Sequence, residues 1–287
     1  MASIKIITRR IKSAQNIAKI TKAMEMVAAS KMKKAQEAAI LGKPYAEKIF
    51  QATRELAKKT DTKSHPLLSL GNPEGKTLAV LVSTNKGLCG GLNSSLFRTV
   101  LKWSEGNRKI DFITVGKKGQ SFVVKIGGGL LADFSEKIPF SQNVAAVTKM
   151  IVDVFIQRRY KEVYIFYNAF LSALKQIPSR KMILPLSGLD EQEEVKKENT
   201  TFADFIMEPN IEDILENLLP HYLENQIRAA IFESEASEQS ARMIAMKNAT
   251  DAALDLMDEL TLIYNKVRQE KITFEIADMV TARMAVE

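Results

Sequence analysis

Small and apolar residues recur every three or four positions along both ends of this chain, while its middle alternates short apolar runs with amphipathic stretches. At the N-terminal end the repeat reads Ile7, Ile11, Ala14 and Ala18, then Ile17, Ile20, Met24 and Val27, then Ala28, Met32, Ala35 and Ala39. Such spacing predicts a helical arm over residues 2–58. Much of the stripe is alanine, which lets a partner backbone come close, and Gly42 and Pro44 predict a bend or break before a second piece at Tyr45–Lys58.

The C-terminal end is more extreme. His221 to Glu287 holds neither glycine nor proline, and a continuous helix of that length would run roughly 100 Å. Its stripe reads Leu223, Ile227 and Ala230, then Ala249, Ala252 and Leu256, then Leu260, Ile263 and Val267, then Phe274 and Ala277. A repeat near 3.5 is that of helices wound around each other. Ser234 and Ser237 fall in the stripe, so packing there is close and only partly apolar. A short helix at Ile211–Leu219 precedes the long one, which Pro220 can open as its first helical residue.

Between the arms the period changes. Thr77–Thr84, Ile110–Val115 and Glu162–Ala169 read as strands, and Ser94–Glu105, Lys117–Ile126 and Asn143–Tyr160 as helices. Leu174–Leu186 reads as an edge strand because of Pro178 and Pro185. Gly188–Asn199 is polar and charged, a surface loop. The expected architecture is α/β plus a long α-helical coiled coil: antiparallel N- and C-terminal helices flanking a small Rossmann-like α/β domain. The expected divisions are 1–60, 61–204 and 205–287.

Charge supports that pairing. Residues 1–60 hold 14 Lys/Arg against 4 Asp/Glu, a balance of +10, and residues 205–287 hold 7 against 16, a balance of −9. Opposite ends can attract, although exposed ion pairs contribute only ~0–1 kcal/mol each. Burial of the stripe, at ~25 cal/mol per Å², must supply most of the stability. A basic arm could serve nucleic acid, but its lysines alternate with Ile, Ala and Met at helical spacing, so we expect no nucleic-acid partner. One cysteine, Cys89, rules out an internal disulfide framework. No run approaches ~18 apolar residues, so no membrane span is expected, and no secretory signal is present.

Candidate chemistry is sparse. Gly71–Thr77 resembles a phosphate-binding loop, GxxxxGK followed by Ser or Thr, but its first glycine is one residue late and it precedes a strand. It reads as an ordinary turn. The loop Asn85–Asn93 lies where an α/β sheet places ligands, yet it fits neither nucleotide fingerprint, and the two histidines, His65 and His221, give Cys89 no local base. No catalytic constellation, cofactor site or metal site is expected.

Longer strings carry a family resemblance. Lys19–Met32, Lys86–Asn93, Glu233–Thr250 and Asp258–Gln269, followed by Ile272 and Thr273, resemble the gamma-subunit family of F-type ATP synthases over the whole length and in order. The resemblance implies a non-catalytic rotor shaft, its helices inside a ring of alternating alpha and beta subunits. Its α/β domain would meet the epsilon subunit and the membrane-embedded c-ring. It further implies beta-subunit contacts by Lys19, Lys22 and Met24 on the first arm and by Arg268, Gln269 and Thr273 on the last. Two departures stand out: Thr84-Asn85, where the family often has an acidic residue before the basic one, and Lys247, commonly acidic. The lone Cys89 excludes the cysteine-pair switch of the plant plastid form. The lack of a transit peptide points to a bacterial protein, peripheral on the cytoplasmic face of the inner membrane. The rival reading is an α/β nucleotide-binding enzyme with helical oligomerisation arms.

Overall fold

A computed structural model describes residues 4–59, 65–106, 109–186 and 210–284. Its elements run α1 (Ile4–Lys59), β1 (Lys76–Val82), α2 (Leu92–Ser104), β2 (Ile110–Val115), α3 (Lys117–Lys125), β3 (Gly129–Asp133), a 3-10 turn at Phe140–Asn143, α4 (Val144–Ile156), β4 (Tyr160–Phe170), β5 (Gln176–Leu184) and α5 (Ile211–Met284). The chain divides into two compact units, Met1–Ala29 with Arg242–Glu287, and Ser30–Ala241. The loop expected at Gly188–Asn199 lies outside the described residues.

The first unit holds the outer parts of α1 and α5. On α1 one line of buried and half-buried positions runs Ile4, Ile7, Ile11, Ala14, Ala18, Thr21, Glu25 and Ala28, an unbroken alternation of three and four. On α5 the matching line runs Met246, Thr250, Ala253, Met257, Leu260, Tyr264 and Val267, with the same alternation. The two hydroxyls of Thr21 and Thr250 lie 2.7 Å apart and set the register. Counting outward in opposite directions brings Ala18 level with Ala253, Ala14 with Met257, Ile11 with Leu260 and Ile4 with Val267. The stripes therefore end together only if the helices run antiparallel. Ala14, Ala18, Ala28 and Ala253 place methyl groups where Leu would hold the backbones apart.

This stripe is one residue set away from part of the expected one. Ile17, Ile20 and Val27 are more than half exposed, and Leu256 and Ile263 are 48% and 41% exposed. The difference is physical: around Thr21 and Thr250 the seam takes small residues that permit close approach, and larger apolar side chains on the neighbouring face stay outside it. Thr21, Thr250 and Ala253 carry the seam although they are not the most apolar choices.

The second unit is built on a five-stranded sheet in the order β3-β2-β1-β4-β5. β1 pairs in parallel with β2 and β4, β2 pairs in parallel with β3, and β5 pairs antiparallel with β4. One sheet face carries Leu96 and Val100 of α2 and Val123 of α3 over Ala79, Leu81, Phe112 and Phe166. The other face carries α4 together with Ile49 and Leu56 of α1 and Leu215, Leu219, Leu223 and Ile227 of α5. The helical arms thus supply about a third of this core.

The helix expected to reach Tyr160 stops at Ile156, with Tyr160 opening β4, and other ends shift by one or two residues; three further differences concern whole elements. α1 continues through Gly42 and Pro44, both exposed, while its buried stripe runs on through Ile49, Thr53 and Leu56. Ile211–Leu219 is not a separate helix, and Pro220 lies inside α5, with Leu215 and Leu219 buried before it and Tyr222 and Leu223 after it. Burial on both sides outweighs one missing N–H. Asn210 opens that helix, its side-chain oxygen accepting from the Asp213 N–H at 2.7 Å. The third difference is β3, a short edge strand after Gly127 and Gly128 that shows no alternation.

The seam predicts contrasting leucines. Leu260→Ala should destabilise the helical pair by about 2 kcal/mol. Leu256→Ala, at a more apolar-looking but exposed site, should cost within about 0.5 kcal/mol. Thermal melts of the full chain followed by circular dichroism check this.

Candidate functional site

The six residues picked out by resemblance all lie in the first unit. Lys19 and Lys22 are exposed and Met24 is half-buried on α1. Lys22 Nζ pairs with the Glu25 carboxylate at 3.1 Å, and Glu25 itself belongs to the buried stripe. Arg268, Gln269 and Thr273 are exposed on α5, and the Thr273 hydroxyl donates back to the Gln269 carbonyl at 3.0 Å. The two groups do not meet. Arg268 stands level with the start of α1, about sixteen residues from Lys19, or roughly 24 Å along the axis. They form two bands on one helical pair.

Beyond Val267, α5 has no level partner among the described residues of α1. Every residue from 268 to 284 is exposed, including Ile272, Phe274, Ile276, Met279, Val280 and Met284. An isolated stretch this short is marginal as a helix in water, and its exposed apolar side chains call for a surrounding partner. Lys247, the reversed charge, is exposed.

The glycine loop spends its polar groups on its own turn. Gly90 takes φ +58° and Leu88 φ +62°. Asn93 donates to the Thr84 hydroxyl at 2.8 Å, and the Thr84 hydroxyl donates to the Lys86 carbonyl at 2.8 Å. Asn85 donates to the Ser135 carbonyl at 2.9 Å and accepts from the Lys117 N–H at 2.8 Å. A carboxylate could accept but not donate, so the neutral amide at this departure from the family pattern suits both partners. The phosphate-loop lookalike has a different reason for its glycine. A Cβ on Gly71 would lie 2.2 Å from the Lys161 carbonyl oxygen, so the residue lets the chain pass against β4.

A third cluster was legible only as serines thinning the stripe. On α5, Ser237 and Ser240 are fully buried, and the Ser237 hydroxyl donates to the Asn168 carbonyl at 2.9 Å. The Ser240 hydroxyl donates to the Ala173 carbonyl. Glu235 accepts from the Phe140 N–H at 3.1 Å, and the Glu233 carboxyl lies near the Phe170 main chain. Burial pushes both carboxyls above their ordinary value of 4.5, and the nearby Glu238 pushes Glu235 further in the same direction. Burial, with the Glu233 charge adding to it, also pushes the Tyr167 phenol up to about 12. Asn168 is buried with a side-chain amide that has no partner among the described residues. No signal in the sequence marked Glu233 and Glu235 apart from other acidic residues of the arm.

Among the described residues no cluster of His, Cys, Asp or Glu could hold a metal ion, and no helix is long and apolar enough to cross a membrane.

Comparison with known proteins covers the same length. A family model described as ATP synthase matches residues 3–286. The ATP synthase gamma chain of Legionella pneumophila (strain Corby) is 40% identical over 293 residues, covering 100% of both chains. That of Coxiella burnetii (strain Dugway 5J108-111) is 40% identical over 294 residues, again covering 100% of both. Among solved structures, the Tetrahymena thermophila mitochondrial ATP synthase central stalk/c-ring is 26% identical, with a TM-score of 0.59 over 80% of this chain and 99% of that one. A chain of the Euglena gracilis mitochondrial ATP synthase OSCP/F1/c-ring shares the fold at 21% identity, with a TM-score of 0.70 over 99% of this chain and 94% of that one.

The buried carboxyls give a pH test. Their folded values are raised, so the stability they contribute is fully present below pH 4.5 and is lost as pH rises through the raised values. The chain's unfolding midpoint should therefore fall over that window, and in Glu233→Gln/Glu235→Gln it should fall less. Equal slopes for parent and variant would count against the burial described.

Proposed function

The chain belongs to the ATP synthase gamma-chain family, and from that premise we propose that it is the central rotor shaft of an F-type ATP synthase. The observation that carries the reading is the match along the full length of both chains at 40% identity. Around it stand a helical pair with a close-packed seam, an apolar helical end without a partner of its own, and a separate α/β unit that shares its core with the same two helices.

The shaft couples ion flow through the c-ring to ATP synthesis or hydrolysis in the ring of alpha and beta subunits. It catalyses nothing itself. Its helical pair turns inside the ring, and its α/β unit meets the epsilon subunit and the c-ring. The complex sits on the cytoplasmic face of a bacterial inner membrane, with this subunit peripheral. Turning presents different faces to each beta subunit and biases its open or closed state by rigid contact. Shifting such an element from 1:99 to 99:1 takes about 5.5 kcal/mol of differential interaction, which many modest contacts can supply.

Within this reading Lys19, Lys22 and Met24 form a lower contact band, and Arg268, Gln269 and Thr273 an upper one. Five of the six are exposed and Met24 is half-buried, which leaves both bands open to the ring, and their separation along the axis means each band meets different beta-subunit segments. The 268–284 stretch, apolar and exposed, is the end that the ring encloses.

A reconstituted complex tests the contacts. Gln269→Leu should lower coupled ATPase turnover by roughly two- to ten-fold, the effect of one lost hydrogen bond of about 0.5–1.5 kcal/mol, while the isolated chain keeps its helicity. Unchanged turnover overturns the role of Gln269. Failure of a tagged chain to co-purify alpha and beta subunits overturns the shaft reading.

A further inference from the structure

Along residues 233–240, α5 meets the α/β unit through hydrogen bonds to main-chain groups, and those bonds leave the helix on two opposed sides. At about 100° per residue, Glu233, Ser237 and Ser240 fall within roughly 60° of one another, and Glu235 falls about 160° from Glu233. Ser237 and Ser240 hold the β4–β5 hairpin: Ser237 donates to the Asn168 carbonyl and Ser240 to the Ala173 carbonyl. Glu235 accepts from Phe140, the first residue of the 3-10 turn.

The acceptors on the hairpin are groups that strand pairing leaves available. β1 pairs with β4 only as far as Phe166, so no strand reaches Asn168 on that side. Ala173 lies in the turn between β4 and β5, where Gln176 Nε2 also donates to its carbonyl at 3.0 Å and to Ser240 Oγ at 3.2 Å. Both serines are fully buried, so these bonds are shielded from water.

Apolar packing below this level, through Leu223, Ile227 and Ile231, is non-directional. It resists separation of helix and sheet but distinguishes poorly between neighbouring rotations of the helix about its own axis. Main-chain groups on two opposed sides do distinguish them. We propose that Ser237 and Ser240 on one side and Glu235 on the other form a torsional key, which fixes the rotational setting of α5 in the α/β unit so that torque passes between them without slip. This rests on the shaft reading above, within which the three are positioning residues.

The experiment has two arms. In the full-length chain, Ser237→Ala/Ser240→Ala should speed amide exchange over residues 168–176 by about ten-fold, as loss of two net hydrogen bonds would. Ser237→Thr/Ser240→Thr, which keeps both hydroxyls, should exchange more slowly than the alanine pair. In the reconstituted complex in vesicles, ATP hydrolysis and ATP-driven ion pumping are measured together against an increasing opposing gradient. The alanine pair should hydrolyse ATP within about two-fold of the parent, yet pump about three-fold fewer ions per ATP at the highest gradient. Glu235→Gln, which keeps an acceptor for Phe140, should pump like the parent, and Glu235→Ala should slip.

Unchanged exchange over 168–176 overturns the key whether or not the variant assembles. Faster exchange with an unchanged ratio of pumping to hydrolysis overturns it as well. If complexes with and without the parent chain pump alike, the shaft reading fails, and the exchange result still reports on the bonds themselves.

Discussion

A helix of 74 residues is held in place by what covers it, because backbone propensity alone stabilises a long helix weakly. α5 has two kinds of cover. Its first thirty residues lie in the core of the α/β unit, and residues 246–267 form one half of a small-residue seam with α1. The rest of the molecule follows from that division. α1 must be as continuous as α5 wherever both are needed, and it passes through Gly42 and Pro44 because its buried stripe continues beyond them. The sheet must leave one face free for two incoming helices, and it does so by sending α2 and α3 to the other.

The seam also explains the composition of the ends. Alanine and threonine at Ala14, Ala18, Thr21, Thr250 and Ala253 bring the two backbones close, and each gives up apolar area that leucine would have buried. The opposite charges of the two ends add little per pair and are mostly exposed, as with Lys33–Glu37 and Lys271–Glu275 along single helices. Stability therefore comes from proximity and continuous burial, while the charges remain on the outside, where a binding partner would meet them.

Much of the fold was legible in the residues. Ile110–Val115 was read to its ends, and the helical nature of both arms followed from spacing alone. The seam face was legible in part: Ile7, Ile11, Ala14, Ala18 and Leu260 lie on it, whereas Ile17, Ile20 and Ile263 advertise a second apolar stripe that the helix packing passes over. β3 escaped because five residues after a glycine pair carry no period. Of the contact positions, the resemblance supplied all six, and nothing in their types or spacing would have separated them from ordinary exposed helix surface. The half-buried Glu233 and Glu235 escaped for a related reason: a carboxylate such as Glu235, which accepts from a main-chain N–H far away in sequence, looks like any acidic residue on a helix.

The end of β1 reaches beyond this one chain. β4 outruns its neighbour, so past Phe166 its main chain has no strand on that side. A hydroxyl arriving from position 237 meets the Asn168 carbonyl there, so a short strand and a serine share one structural problem although they lie far apart in sequence. Relatives in which β1 runs further should be released from the need for serine. Those with a short β1 should keep a small donor. A lineage crossing between the two states should change both features within a short span of descent.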